Sequence, residues 1–581
     1  MYLDTGNGRL FYMPSVPADQ TMDPTSDQTM EPSSTKPPAA AAVRHRSSGQ
    51  GIARGAAIIA ALTILSRILG LARTLVFSQS IGAGCLGTAY TTANQVPSLI
   101  YEVAIGGALT SAMVPVLARS AEAATDPATG GDLEAQARVA RITSALLTWT
   151  VLVLVPLTVV IAVAAGPVAA FLNPVNPNAH CPRPQMITDT ARLLVAFAPQ
   201  VFLYGMSVVL FGLLQAYRRF TGPALAPVIA NVVLISCYLA FIPVDGNRQF
   251  GATPAAAMLL LGLGTTVNIA ALVVVPAFPA WRLRLRIRPA LRFPPGVARL
   301  AGGMVLVGLI EFAAQDVLNV VVIAVANGHG DTGALVLANY QMQVFNAVYG
   351  VLAVSIVTSV YPVLSARDGQ AFDRVSAGST RAVLLVSWLG TALVAAVAVP
   401  AAHVLARQDD QVSQLVWAFA LTAPGVAGMG VVTNLSRVMF VLGRLRMAAV
   451  ALAGISVVAL ALDLIIPAVA PPRWVVPGVA AASTVAATVV AIPVVRAIRR
   501  IRGPAAVAGA ARANLTGIIA AVAASAAGVA VSLAIPADRR LLYGGSAVVA
   551  AVTAAIVFAA VAFILDKDDL RAIVRRARRY R

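Results

Sequence analysis

Charge is what this chain has least of. Only 12% of its 581 residues are Asp, Glu, Lys or Arg, against 58% apolar residues and a mean hydropathy of +0.80. That balance excludes a water-soluble globule, which needs a polar surface. Lysine is nearly missing, with Lys36 and Lys567 alone, so the net charge of +19 rests on arginine. Those arginines sit in short loops between apolar runs, a placement that reads as membrane topology and argues against a nucleic-acid partner. The three cysteines, Cys85, Cys181 and Cys237, are far apart and lack metal-ligand spacing. Neither a zinc site nor a disulfide framework is expected, and all three read as packing residues. The four histidines, His45, His180, His329 and His403, are scattered, and no glycine-rich phosphate loop follows a strand. No catalytic residue, metal or cofactor is therefore expected, and the chain does not read as an enzyme.

What fills the sequence is long apolar runs, from about residue 55 to about 566. At about 20 residues per crossing they predict an all-α polytopic membrane protein of about 14 transmembrane helices. Breakers and charged turns place the first set near 55–80, 86–117, 142–172, 191–217, 222–243 and 254–280. A second set follows near 297–326, 333–364, 377–405, 412–441, 447–469, 475–497, 514–535 and 541–565. Met113-Val-Pro-Val-Leu-Ala-Arg119, after the second span, resembles Val360-Tyr-Pro-Val-Leu-Ser-Ala-Arg367 after the eighth. The repeat predicts two six-helix lobes, 53–280 and 297–497, joined by a basic linker at 281–296 and followed by two extra helices at 498–566.

Arginines collect in alternate loops, among them Arg138 and Arg141, Arg218 and Arg219, Arg444 and Arg446, and Arg496 to Arg502. The intervening loops hold mostly single ones: Arg183, Arg248, Arg407 and Arg473. Retained loops accumulate Arg, so both termini are expected in the cytoplasm of a plasma-membrane protein. Residues 1–52, rich in Pro, Ser, Thr and Asp, read as a disordered cytoplasmic tail, and 567–581 as a basic one. The alternation Arg282-Leu-Arg-Leu-Arg-Ile-Arg288 invites an anionic-lipid or nucleic-acid reading. Its place at the chain's midpoint favours a topology anchor.

Ionisable residues inside spans are costly in hydrocarbon and therefore mark protein-facing or water-filled positions. Arg67 and Arg73 in the first span are about 9 Å apart along a helix and about 240° around it, so both can line a wide cleft. An arginine fork suits a pyrophosphate, with pairing to a carboxylate as the alternative. Glu102, Glu311, Asp316, Arg437 and Asp463 complete the set, as charge pairs across the lobes or as a coupling-ion site. The eighth span carries Asn339, Gln341, Gln343 and Asn346. These amides can bond sugar hydroxyls or act as interhelical glue.

Leu65-Ser-Arg-Ile-Leu-Gly-Leu-Ala-Arg73, Gly82-Ala-Gly84, Ala93-Asn-Gln-Val-Pro-Ser-Leu99 and Val114-Pro-Val-Leu-Ala118 carry a likeness in order and spacing. So does Leu214-Gln-Ala-Tyr-Arg-Arg-Phe-Thr-Gly-Pro-Ala-Leu-Ala-Pro227 with Asn231. The chain resembles the MurJ/MviN family of the multidrug/oligosaccharidyl-lipid/polysaccharide exporter superfamily. Asn94-Gln-Val-Pro97 and Ser436-Arg-Val438 look most like its actinobacterial members. The resemblance implies a V-shaped cavity that opens alternately to either side, and a lipid-tail groove at the last two helices. It also implies flipping of lipid II, the lipid-linked peptidoglycan precursor, in cell-wall biogenesis. Arg67 and Arg73 fall on the family's first-helix arginines, and Ser66 and Pro97 on further motif positions. The substrate set so expected is Arg67, Arg73, Ser66, Pro97, Gln343, Asn346 and Arg437, with Glu102, Glu311 and Asp316 for pairing or coupling.

Three positions depart from that pattern. The family's second-helix arginine falls on Tyr101 or Glu102, its acidic position on Gly106, and its eighth-helix arginine on Gln343. Another polyprenyl-diphosphate-linked glycan as cargo, or a non-transporting scaffold of the cell-wall machinery, are the alternatives. An antiporter for small amphipathic cations predicts an acidic cavity, against which the two arginines argue. Expected partners are the polyprenyl-linked oligosaccharide, membrane lipids and cell-wall synthases.

Overall fold

Apolar runs bounded by Pro, Gly and Arg fold as expected into helices, and no strand occurs among the described residues. The computed structural model describes the backbone at 40–102, 117, 132–245, 250–292, 297–535 and 540–565. Side chains are described within these ranges except at 40–57, 59–60, 297–311 and 541. Residues 1–39, the carboxy-terminal tail, most of Met113–Arg119, Gly106 and the Glu311 side chain lie outside, whereas 40–52 of the tail expected to be disordered is helical backbone. The chain divides at Ala56, and everything below concerns the unit from Ala57 onward.

In chain order the first helices are α1 (Ala40–Ser80), α2 (Cys85–Tyr101), α3 (Leu133–Val163), α4 (Ala165–Leu172), α5 (Arg183–Phe197), α6 (Pro199–Ala216), α7 (Thr221–Asp245) and α8 (Ala255–Trp281). Then come α9 (Val297–His329), α10 (Ala334–Tyr349), a π-helical turn (Gly350–Val354), α11 (Ser355–Ser365), α12 (Gly369–Leu405), α13 (Asp409–Thr422) and α14 (Gly425–Val441). The last are α15 (Leu445–Asp463), the short α16 (Ile466–Val469), α17 (Val475–Arg502), α18 (Ala510–Ala534) and α19 (Arg540–Leu565). Thirteen stretches among the described residues are long and apolar enough to cross a membrane. The expected span 86–117 is described only through Glu102 and at Leu117.

Several expected boundaries move, for local reasons. The span expected at 142–172 begins at Leu133, where the Asp132 side chain accepts a 2.8 Å bond from the Glu134 amide and caps the helix. It breaks at Ala164, since Pro167 has no N–H to give Val163 and disfavours helix at the residue before it. The fourth and tenth spans each break just before or at a proline, Pro199 and Pro424.

Packing sorts the helices into two groups. In the first, α2 packs on α5, α3 on α6, and α8 on α5, α6 and α7; in the second, α9 packs on α15, α17 on α13, α14 and α15, and α12 on α13 and α14. The α18–α19 hairpin lies against α12. The groups meet where α2 touches α9 and α10, and α4 touches α9. At that junction the largest buried cluster runs through both groups, with Phe77, Tyr90 and Tyr238 of one beside Tyr340 of the other.

Among the described residues the hydrogen bonds that seal the groups together gather at one end. There Gln79 donates to the Val404 carbonyl (2.7 Å), Gln411 to that of Ala83 (2.8 Å), and Asn176 to those of Asn327 and Gly330 (both 2.8 Å). Asn327 in turn donates to Thr92 Oγ1 (3.0 Å) and the Leu172 carbonyl (2.9 Å). Arg407 donates to the Gln79 carbonyl. Gly333, at φ +89°, sits so close that a Cβ would lie 2.1 Å from the Ala83 carbonyl oxygen, so only glycine fits. The amide bond that crosses farthest from that end is Gln95 Nε2 to Asn339 Oδ1, 3.4 Å. Beyond it the eighth span turns from buried at Ala334–Gln341 to mostly exposed or half-buried, and a cleft opens.

One expectation is overturned at the sealed end. Cys85 and Cys181 form a disulfide, with Cα atoms 5.7 Å apart. They are 96 residues apart in sequence, and they meet because α2 packs on α5, a juxtaposition that linear spacing does not report. Cys237 alone fits the packing role, free and buried.

Candidate functional site

The cleft ends in a pocket of about 110 Å³, whose wall takes in Arg73 and Phe77 from α1, Asn94 and Gln95 from α2, and Asn339 and Gln343 from α10. Behind it the Tyr90 hydroxyl bonds those of Tyr238 (2.9 Å) and Thr265 (2.8 Å). This network satisfies polar groups that would otherwise be orphaned in the core. Arg73 therefore enters the cleft from a tyrosine-lined wall with no acidic partner among the described residues.

Arg67 lies nearer the open end, exposed, with its guanidinium against Gly350: a Cβ there would stand 3.3 Å from Arg67 Cζ. Gly350 opens the π-helical turn of the eighth span. Such turns widen a helix and recur at functional sites. Arg67 thus bridges the mouth of the cleft from one group to the other and forms no ion pair among the described residues. Its neighbour Ser66 is half-buried, and its carbonyl accepts from Asn231 Nδ2 (3.4 Å). Pro97 is buried inside α2.

The expected amides divide. Gln343 reaches the pocket and Asn346 is exposed at the next turn, whereas Gln341 is buried and bonds Thr422 (2.8 Å) as internal glue. Arg437 is exposed, with Tyr361 and Phe440 rings at 5.8 and 5.6 Å. Beside it the Tyr349 hydroxyl bonds Thr433 (2.6 Å).

The intramembrane acids do not pair with arginines among the described residues. Glu102, at the end of α2, instead faces Asp316 of α9, carboxyl to carboxyl across the two groups. Both oxygens of Asp316 are buried without a donor, and so are both of the fully buried Asp463. Among the described residues Glu102, Asp316 and Asp463 thus stand apart from the arginines. Sequence reasoning passed over Asn94 and Gln95 as site residues, and over Gln79, Asn176, Asn327 and Gln411 as the seal. Amides within apolar spans were the available signal.

A polytopic helical protein with two groups of helices about a cleft, closed at one end and cationic along one wall, has the architecture of a transporter. In fold it is similar to an inward-facing multidrug resistance MATE family transporter of the MOP superfamily (TM-score 0.56, 14% identity, 77% of this chain and 98% of that one). It is also similar to the lipid II flippase MurJ in an inward closed conformation (TM-score 0.66, 16% identity, 87% of this chain and 98% of that one). The family profile described as lipid II flippase MurJ matches residues 77–558, and the chain belongs to that family. Among curated relatives, the lipid II flippase MurJ of Burkholderia cenocepacia is 26% identical over 53% of this chain and 56% of its own length. The probable lipid II flippase MurJ of a Synechocystis species is 26% identical over 44% and 46%. The matched stretch thus spans about half the length of these two relatives.

Proposed function

We propose that this protein moves lipid II from the cytoplasmic to the outer leaflet of the plasma membrane by alternating access. The observation that carries the reading is the placement of Arg67 and Arg73, free of acidic partners among the described residues, in a cleft sealed at one end. Two guanidiniums on one helix provide a diphosphate with charge-assisted bonds worth roughly 1.5–3 kcal/mol each. Gln343, Asn346 and the neighbouring Asn94 and Gln95 offer neutral donors and acceptors to sugar hydroxyls. Arg437 supplies a cation from the second lobe. Ser66 and Pro97 hold the first and second spans in place. The family to which the chain belongs, and the names of its relatives, agree with this cargo.

The sealed end faces outward in this reading, and both termini lie in the cytoplasm. Loops at the sealed end are poor in arginine, the pattern of translocated segments, while the clustered arginines lie at the open end. A disulfide at the sealed end also suits an oxidising exterior. The α18–α19 hairpin carries outward apolar residues, among them Val522, Val548 and Ile556, that fit a polyprenyl tail. Cell-wall synthases would consume the exported precursor. The apposed carboxyls of Glu102 and Asp316 are the coupling element: they repel unless a proton or cation lies between them, and rocking of the lobes separates them. The Glu311 position belongs to the same helix, one turn and a half earlier.

Complementation of a flippase-depleted cell tests the reading, with lipid II exposure on the outer leaflet as readout. Rescue by the wild type and failure of well-inserted Arg67→Ala is the expected result. Absence of rescue by a correctly inserted wild type would overturn lipid II as cargo. It would leave the second reading, another polyprenyl-diphosphate glycan, which one observation favours: Gln343 stands in the pocket where the family carries an arginine.

A further inference from the structure

A second cavity, of about 990 Å³, lies away from the cleft, between α3, α6 and α8 of the first lobe and the linker segment that follows α8. Leu210 and Leu213 line its apolar floor, and Arg219, Arg282, Arg284 and Trp281 its polar side; none of the described lining residues is acidic. Trp281 is 79% exposed, an indole at the mouth of the cavity, where membrane–water boundaries favour that side chain.

The arginines are held there by the fold. After α8 the chain runs extended along α3: the Arg288 and Ala290 amides donate to Ser144 Oγ (3.1 Å) and Thr148 Oγ1 (3.0 Å), and Trp149 Nε1 to the Leu291 carbonyl (3.1 Å). The turn at Arg282–Arg284 and the segment after it pack Leu283 and Leu285 against the cluster around Ile142 and Leu213, while Arg282, Arg284, Arg286 and Arg288 are exposed. A topology anchor needs only that the arginines be present. It does not need backbone strain, yet the two non-glycine residues with positive φ among the described residues are Arg284 (50°), in the cavity wall, and Arg218 (55°), next to Arg219. Strain of this kind persists where surrounding structure enforces it and gathers at ligand-holding sites.

We infer that this cavity binds the phosphate headgroup of an anionic phospholipid from the leaflet at the open end of the cleft, with its acyl chains along Leu210 and Leu213. A basic pocket between helices at a membrane boundary is the chemistry such a headgroup requires. Because no described residue of the second lobe lines the cavity, the lipid is a resident that clamps the start of the inter-lobe linker and is not cargo. The inference needs the chain to be in a membrane but does not depend on what it carries.

Nanodiscs of phosphatidylcholine doped with brominated phosphatidylglycerol, or with the same share of brominated phosphatidylcholine, test it. Quenching of Trp281 is read as the difference between the wild type and Trp281→Phe. The anionic lipid should be enriched at Trp281 at least about fivefold, the attraction expected of one basic residue near such a surface. The excess should vanish in the combined Arg219→Gln, Arg282→Gln and Arg284→Gln variant. It should survive removal of three arginines at the end of α17 (Arg496→Gln, Arg499→Gln, Arg500→Gln) and competition by inorganic phosphate. Equal quenching by the two lipids would overturn the site, as would an excess that persists in the first variant or is lost equally in the second. Full displacement by phosphate would overturn the lipid as its occupant.

Discussion

The two ends of the cleft are built from different chemistry. At the sealed end mostly neutral amides, with Arg407 beside them, bridge the lobes to backbone carbonyls: Gln79 to Val404, Gln411 to Ala83, Asn176 to Asn327 and Gly330. At the open end the arginines of α1 face amides and a π-helical turn, and beyond Gln95–Asn339 the groups meet through the apposed carboxyls of Glu102 and Asp316. Neutral hydrogen bonds contribute a net 0.5–1.5 kcal/mol each, roughly, so a handful can hold a state and still be exchanged for water. The covalent link Cys85–Cys181 stays within the first lobe and leaves the seam free to part. A seal of this kind is a closed position, and the open end is where charge waits for a partner.

The largest effect should come from filling the tightest point of that seam. In Gly333→Val the new Cβ collides with the Ala83 carbonyl at a backbone angle valine avoids. Hydrogen exchange of segments 79–84 and 330–333 should then rise by more than about 150-fold, beyond what losing two neutral hydrogen bonds does; unchanged protection would mean that this close approach does not hold the lobes. A smaller effect is expected of Asn176→Ala, which deletes two bonds to Asn327 and Gly330. The same segments should exchange about 5- to 150-fold faster, the equivalent of 1–3 kcal/mol. Cleft-side Asn346→Ala should leave that exchange alone, and a matching rise there would erase the distinction between the ends.

Acidity should move the sealed end in one direction. Asp331, in the turn after α9, has its carboxyl pushed above the ordinary 3.8, first by burial and then by the nearby Asp410, although Gln414 donates to it at 3.0 Å. Opening exposes Asp331 and returns it toward its ordinary value, so the sealed state holds the proton more tightly. Lowering pH through that raised value therefore favours sealing, and raising it favours opening; below 3.8 both states are protonated and the dependence disappears. Exchange at 330–333 followed against pH should show this slope in the wild type and lose it in Asp331→Asn. A slope that survives would assign the effect to another group.

Much of this was legible in the sequence for physical reasons. Long apolar runs and Pro or Gly breakers report spans directly, since lipid enforces helices. Arg67, Arg73 and Gln343 stood out because polar groups in hydrocarbon need a reason, and the fold places all three at the cleft. What could not be read was which distant segments touch. The disulfide depends on α2 lying on α5. The Glu102–Asp316 apposition depends on the meeting of α2 and α9, and charge counting left pairing with arginine and a coupling site both open. The amides of α10 looked alike in sequence, yet a helix turns about 100° per residue, so Gln341 and Gln343 face opposite ways and do different work.

The smallest expected effect compares the lobes themselves at their basic turns. After α6 the amides of Arg218 and Arg219 donate to the Gln215 and Leu214 carbonyls; after α14 those of Gly443 and Arg444 donate to Phe440 and Met439. The bond pattern is the same, and so is the left-handed backbone, at φ 55° for Arg218 and 70° for Gly443. Glycine takes that conformation freely, whereas an arginine pays about 1–2 kcal/mol for it. Arg218→Gly should therefore raise stability by about 1 kcal/mol in detergent, read as a higher midpoint of thermal unfolding, while Gly443→Arg should lower it by a similar amount. If both substitutions lower the midpoint equally, the Arg218 side chain contributes more to its lobe than the strain it imposes, and the two turns are alike in backbone only.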